Sequence, residues 1–298
     1  MSFLVWLFAK MSQPARVRLG RFVGAFIFHV LRIRRRLGDR QLAMCFPDWS
    51  AAERRRVLKA CYQNLATTVI EGGLLHQLAQ EGPRTTLPPV FAHEGFENFE
   101  KARALGKGTL IVTAHIGNWE LLGVLYSLMG VKLNIVARDI KNKSANKLWI
   151  SLRESSGLKQ ISAKRRQGGL KQMLQALKNN EGVAIVLDQN MAADKGVFVQ
   201  FFGKPACTLD LVAVLAKRTG AAVVVCFTHR RPDGTHYTKI LPPLEWEFVA
   251  SDDPHADVVH NTQRYTSLIE AAVREHPEQW LWLHRRWKVQ PDGKPPLP

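Results

Sequence analysis

Short apolar runs rich in β-branched residues alternate with segments of helical period through most of the chain. Thr109–Ala114 (Thr-Leu-Ile-Val-Thr-Ala), just after Gly106-Lys-Gly108, has the pattern of a buried strand. Val131–Ala137, Val183–Leu187, Ala222–Thr228 and Tyr237–Leu241 predict further strands. Helices are predicted over Trp119–Met129, Ser144–Ser155, Leu170–Asn179, Leu209–Arg218 and Asp257–Glu275. Earlier, Ser50-Ala-Ala-Glu53 is a capping box opening a helix that can run through Ala79, with Gly72-Gly73 as its weak point. Pro83–Pro89 reads as a linker. Strands separated by helical segments predict an α/β fold: a single domain with a central, mostly buried mixed sheet flanked by helices. There is no internal repeat, no low-complexity tract and no linker long enough to force a second domain.

Two apolar stretches, Phe3–Ala9 and Phe22–Leu31, precede this pattern. As a helix the second is roughly 15 Å long, half of a ~30 Å hydrocarbon core. Extending it to Val17–Ile33 takes in Arg18, Arg21 and Arg32, so a membrane span requires its arginines to snorkel. An aromatic-rich helix with basic flanks lying in the lipid interface fits better, with Arg32-Ile-Arg-Arg-Arg36 meeting anionic headgroups. Phe3–Ala9 lacks a positive leader and runs into Lys10, so it does not read as a signal peptide. The expectation is a membrane-anchoring or interfacial segment over residues 1–38 and a catalytic domain over 39–298. The alternative is an ordinary buried helix with a solvated basic end.

Charge sharpens that picture. The 298 residues are 46% hydrophobic and 22% charged, which excludes intrinsic disorder, and the net charge is +17. Thirteen basic and three acidic residues fall within the first 60, so a fifth of the length carries +10 of that total. The N-terminus faces something negative: nucleic acid, an anionic membrane surface, or an acidic partner.

Candidate chemistry centres on Thr113-Ala-His115-Ile-Gly-Asn-Trp-Glu120. A buried strand ends at Ala114, Gly117 permits a tight turn, and Asn118 caps the helix that Trp119-Glu120 opens. His115 therefore sits at the carboxyl end of a strand, where α/β sheets bind ligands. Glu120, about one turn into the helix, is placed to fold back toward the imidazole. A carboxylate on one ring nitrogen fixes the tautomer and leaves the other nitrogen as a general base. The first N–H groups of the helix then offer a seat for an oxyanion. Base, orienting acid and oxyanion donors suit acyl transfer to a hydroxyl. A second His-x4-acid pair, His76 and Glu81, has no strand before it and reads as surface.

Other chemistries lack their residues. There is no Gly-x-Ser-x-Gly elbow, no P-loop, and no Gly-x-Gly-x-x-Gly after a strand. Cys45, Cys61, Cys207 and Cys226 form no Cys-x-x-Cys pair and His-Glu-x-x-His is missing, so neither a metal nor a cofactor is expected. Unpaired cysteines agree with a cytoplasm-facing body.

The chain resembles the lipid A biosynthesis late acyltransferases, the lauroyl and myristoyl transferases of the glycerolipid acyltransferase superfamily with its His-x4-Asp/Glu signature. The matching blocks are Asn64 and Glu71, Thr113–Glu120, Val136-Ala-Arg138 with Asn142, Asp188-Gln189, Gly196–Gly203 with Pro205-Ala206, and Pro277–Lys288. The resemblance implies an inner-membrane enzyme facing the cytoplasm, with no cofactor. It would move a fatty acyl group from acyl carrier protein, or coenzyme A, to a hydroxyl of an acyl chain on a lipid A precursor.

It casts His115 as base and Glu120 as its partner, with Asn118, Arg138, Asp188 and Gln189 as candidate substrate contacts. Arg138 and Asp188 both lie just past strand ends. Arg138 suits either a phosphate clamp or a salt bridge such as one with Asp188, which is expected to be structural. Phe198–Phe202, between turns at Gly196 and Gly203, suits an acyl channel or plain core. Trp280, Trp282 and Trp287, alternating with His284, Arg285, Arg286 and Lys288, suit a membrane-interface or phosphate-facing segment, or aromatic packing under a basic edge. Two rivals stand beside this reading: acyl transfer to a lysophospholipid or glycolipid, and a basic nucleic-acid-binding protein. The latter is disfavoured because the charge clusters beside apolar aromatic segments and no binding motif is recognisable.

Overall fold

The computed structural model describes residues 3–79, 87–163, 166–291 and 294–298. Its seven-stranded sheet runs in the order β1 (Phe91–Glu94), β9 (His236–Ile240), β8 (Ala222–Arg230), β2 (Thr109–Thr113), β5 (Gly182–Val186), β3 (Leu133–Ala137), β4 (Lys159–Ser162). Neighbours are parallel except β8 and β9, so the sheet is mixed, as expected. The most apolar runs form its middle because both their faces are covered. Leu110, Val112, Val183, Ile185, Val223 and Val225 pack on one side, while Ile111, Ala184, Val224 and Cys226 pack on the other.

The first of those sides is covered by α4 (Ala51–Ile70), α9 (Arg166–Lys178), α10 (Leu211–Thr219), α11 (Ala256–Glu275) and the C-terminal tryptophans. The second is covered by α5 (Gly72–Ala79), α6 (Phe96–Ala104), α7 (Trp119–Leu128) and α8 (Lys143–Ser155). A hairpin of β6 (Gly196–Phe201) and β7 (Lys204–Leu209) stands apart from the sheet. It turns at Phe202-Gly203, both with positive φ, whereas Gly196, expected as a turn, is extended within β6.

The capping box is present: Ser50 Oγ accepts from the Glu53 amide, and Glu53 accepts from the Ser50 amide. The long helix it opens breaks at Glu71, one residue before the two glycines. Part of the expected linker, residues 83–86, and Glu81 of the second His-x4-acid pair lie outside the described residues.

The N-terminal segment forms α1 (Phe3–Ala9), α2 (Gln13–Phe26) and a wide turn over Ile27–Leu31, followed by α3 (Arg35–Cys45). Helix α2 lies tight on α4 because Gly20 and Gly24 face it, where a Cβ would come within 2.5 Å of the Thr67 Cα or 2.4 Å of the Gln63 Cα. The segment therefore packs on the body along one side. Its other side leaves Phe22 71% and Phe26 48% exposed. Among the described residues, no helix is long and apolar enough to cross a membrane.

Candidate active site

Two neighbouring parallel strands deliver the reactive pair. Thr113 of β2 lies beside Val186 of β5, and His115 and Asp188 each follow two residues further on. Equivalent positions on adjacent strands lie about 4.8 Å apart, within reach of a side-chain bond. Asp188 Oδ1 accepts from His115 Nδ1 at 2.7 Å, and its Oδ2 accepts from the His115 amide at 2.9 Å and from the Trp280 indole N–H at 2.7 Å. Burial pushes the Asp188 carboxyl upward, but the His115 ring, the His115 amide and the Trp280 indole outweigh it and hold the group at about 2. An ionised carboxylate only accepts, so Nδ1 carries a proton, and it is Nε2 that presents the lone pair in the neutral ring. Gln189 places its amide nitrogen 3.3 Å from that Nε2.

The expected contact between Glu120 and His115 is not made. Glu120 instead accepts two bonds from Arg153, at 2.9 and 2.6 Å, and Arg153 also donates to Gln160 on β4. Trp119 occupies the helix side of the imidazole, its ring edge-on at a centroid distance of 4.8 Å. The residue that orients His115 is Asp188, which sequence reasoning had cast as structural.

Asn118 also differs from expectation. It caps α7, accepting from the Leu121 amide at 3.2 Å, but it is fully buried and its amide donates to Glu71 at 2.7 Å. Expected as a substrate contact, it is sealed from solvent and bonded at both ends of its side-chain amide. With the Leu121 amide engaged, the amides of Trp119 and Glu120 are left without an acceptor in their own helix. Gly117 has φ +59°, and a Cβ there would come within 2.0 Å of the Thr228 carbonyl oxygen, so the turn requires glycine.

Arg138 follows β3 on the same edge of the sheet but does not pair with Asp188, whose oxygens are taken. It is exposed and approaches Met191 Sδ at 4.0 Å. With Arg34, Lys195, Arg285 and Lys288 it lines a cleft of about 670 Å³ whose lining includes Asn190–Ala192, directly after Gln189 in the chain. Among the described residues, no carboxylate lines that cleft. His284, also in its wall, accepts the Asn190 amide proton on Nε2 at 3.0 Å, and burial lowers its pKa to about 4, so it stays neutral.

The tryptophans do not face a membrane: Trp280, Trp282 and Trp287 are buried, and Phe201 stacks on Trp287, placing the glycine/aromatic block in the core as well. Between them Arg286 is completely buried, donating to the Gln189 and Cys207 carbonyls at 3.3 and 2.9 Å while its guanidinium lies over Phe201. Arg286 fixes the backbone of Gln189. Nothing local in the sequence separates it from exposed Arg285. Among the described residues no group of three or more His, Cys, Asp or Glu is placed to hold a metal ion.

The family model for the bacterial lipid A biosynthesis acyltransferases matches residues 1–289. The chain belongs to that family. It is 27% identical over 295 residues to the lipid A biosynthesis palmitoleoyltransferase of Escherichia coli (strain K12), covering 99% of this chain and 92% of that one. To the lauroyltransferase of the same organism it is 27% identical over 296 residues, covering 98% and 91%. A more distant relative, the phosphatidylinositol mannoside acyltransferase of Mycobacterium tuberculosis, is 27% identical over 198 residues, covering 65% of this chain and 58% of that one. The protein is thus an acyltransferase of lipid A biosynthesis.

Proposed function

We propose that this protein moves a fatty acyl chain from the thioester of acyl carrier protein, or of coenzyme A, to a hydroxyl of an acyl chain on a lipid A precursor. It works on the cytoplasmic face of the inner membrane. The observation that carries the reading is the pairing of His115 Nδ1 with Asp188, which turns Nε2 toward Gln189, whose neighbour Asn190 lines a cationic cleft.

The acceptor hydroxyl donates its hydrogen bond to Nε2. As its oxygen attacks the thioester carbonyl, the proton passes to Nε2 and the imidazolium rests on ionised Asp188. The oxyanion of the tetrahedral intermediate lies against the start of α7. Collapse breaks the C–S bond, and the departing thiolate takes the proton from Nε2. The protein forms no covalent intermediate in this scheme.

Two further features support the lipid assignment. Phe3, Trp6, Phe22, Phe26, Leu31 and Ile33 are exposed apolar side chains on the N-terminal helices and the turn after them, beside exposed Arg18, Arg21 and Arg32. Such a surface suits insertion at an anionic lipid interface. The cleft suits a phosphate-bearing substrate, since the five cations that line it are stabilised by an anion. Membership of an acyltransferase family leaves lipid and phosphate, rather than nucleic acid, as the complement of the +17 charge.

The mycobacterial relative keeps a glycolipid acceptor as the second reading. Mass spectrometry of lipid A from cells with and without the gene separates the two. Loss of one acyl chain is expected; an unchanged acylation pattern would overturn the lipid A acceptor and favour the glycolipid.

A further inference from the structure

A buried polar hub lies behind the His115 turn and takes no part in the mechanism above. Its centre is Glu71, at the break between α4 and α5, with no solvent exposure. Oε1 accepts from Gln13 Nε2 at 2.7 Å, from His236 Nε2 at 3.1 Å and from Arg230 Nε at 3.2 Å. Oε2 accepts from Asn118 Nδ2 at 2.7 Å and from Arg230 Nη2 at 2.5 Å. Burial alone would favour the neutral acid, but His236 and Arg230 keep this carboxyl ionised and well below its usual range.

Each donor comes from a different part of the fold. Asn118 caps α7, three residues past His115. Arg230 ends β8, and its guanidinium also donates to Asn64 of α4. Asn64 Nδ2 and Thr68 Oγ1 in turn both donate to the Gly117 carbonyl at 3.1 Å. The turn is therefore pinned at two successive residues, at Gly117 by α4 and at Asn118 by Glu71. Gln13 is the first residue of α2, the helix that presents Phe22 and Phe26 to the outside. One carboxylate thus joins the turn carrying the base to the helix carrying the exposed apolar face.

We propose that Glu71 is a positioning residue that sets the His115 turn and couples it to the seating of α2 on a lipid surface. The coupling rests on the membrane reading above; the setting of the turn does not. A buried carboxylate holding five bonds cannot shift for one donor without straining the others, so a displacement of α2 at Gln13 is felt at Asn118. A misplacement of about 1 Å at a reacting group can lower turnover roughly 100-fold, so the turn needs such a brace.

Glu71→Gln leaves Arg230 without its counter-charge and risks the fold, so two milder cuts test the idea. Asn118→Ser keeps a helix-capping oxygen but is too short to reach Glu71. Its kcat for acyl transfer should fall about 10- to 100-fold while KM for the acyl donor stays within about twofold. An unchanged kcat would overturn the positioning role.

Gln13→Ala cuts the link from Glu71 to α2, together with the Gln13 bonds to the Gly234 carbonyl and to Arg16. Hydrogen exchange of the Ile116–Leu122 amides is then followed with and without vesicles of phosphatidylethanolamine and phosphatidylglycerol. In the native protein vesicles should slow this exchange; in Gln13→Ala vesicle binding should persist while the slowing is lost. Exchange that vesicles leave unchanged in the native protein, or slow equally in the variant, would overturn the coupling. This readout needs no substrate, so a native protein that fails to transfer an acyl chain would remove the proposed function while leaving the exchange result to decide the coupling.

Discussion

Asp188→Asn replaces one carboxylate oxygen by an NH2 group and changes almost nothing in shape, yet the geometry assigns it a large effect. Oδ2 accepts two bonds, from the His115 amide and from Trp280, whereas Oδ1 accepts one, from the imidazole Nδ1. The asparagine must keep its carbonyl oxygen toward the two fixed donors, because neither a backbone nor an indole N–H can become an acceptor. Its NH2 then faces Nδ1, which can answer only by giving up its proton. The imidazole switches tautomer, and Nε2, the basic nitrogen in the native enzyme, now carries hydrogen.

Three hydrogen bonds are preserved in number, so folding should survive with a stability loss of about 1.5–3 kcal/mol from the exchange of charged for neutral acceptors. Turnover should fall roughly 10⁴-fold, the order seen when a catalytic histidine is held in the wrong tautomer, equivalent to about 5 kcal/mol at the barrier. Steady-state turnover with an acyl-thioester donor gives the rate, and ¹⁵N resonances of the His115 ring give the tautomer. A variant within tenfold of native turnover, or one retaining the Nδ1–H form, would refute the reasoning.

The remaining predictions concern the cleft, the helix pair, the lipid-facing surface and pH. Arg138→Ala and Arg285→Ala should each raise KM for a phosphorylated acceptor about tenfold with little change in kcat, since each removes a charge-assisted bond remote from the reacting atoms; equal KM values for native and variant proteins would contradict this. Glu120→Ala leaves Arg153 uncompensated where both side chains are under 15% exposed, so it should cost about 3 kcal/mol by denaturant unfolding, with most of the loss recovered in the double variant Glu120→Ala/Arg153→Met. Phe22→Ala with Phe26→Ala should weaken binding to anionic vesicles about 30-fold in a sedimentation assay, from about 2 kcal/mol of apolar surface that no longer inserts. Burial lowers His229 and His284 to about 4, so the unfolded chain binds more protons than the folded one between that value and about 6.5. The melting temperature should therefore fall as pH drops through that window, and His284→Asn should flatten the dependence; a melting temperature that rises on acidification would reverse the sign.

The strands that carry the site were readable because they are buried on both faces and so are apolar throughout. Thr109–Thr113, Gly182–Val186 and Ala222–Arg230 fall within a few residues of their expected limits. Edge strands such as Lys159–Ser162 have polar faces and no such signature, and the β6–β7 hairpin was hidden inside an aromatic block that reads equally as loop or core. His115 could be found because a strand, a glycine turn and a helix cap surround it. Its partner could not be assigned from spacing, because Glu120 is five positions along the chain and Asp188 is 73. Only the order of strands, with β5 rather than β3 beside β2, makes the distant carboxylate the near one. The retrievable signal was an acid directly after a second buried strand, Asp188 after Leu187. Asn118 was legible as a cap but not as buried, since the Glu71 carboxylate beneath it arrives from a different helix.

Turnover of His115→Ala measures the role of the imidazole most directly, with circular dichroism to establish that the fold is kept. Acyl transfer from the thioester donor to the hydroxyl acceptor should fall by roughly 10²–10⁴. A folded His115→Ala protein that transfers acyl chains at close to the native rate would contradict the claim that Nε2 takes the acceptor's proton.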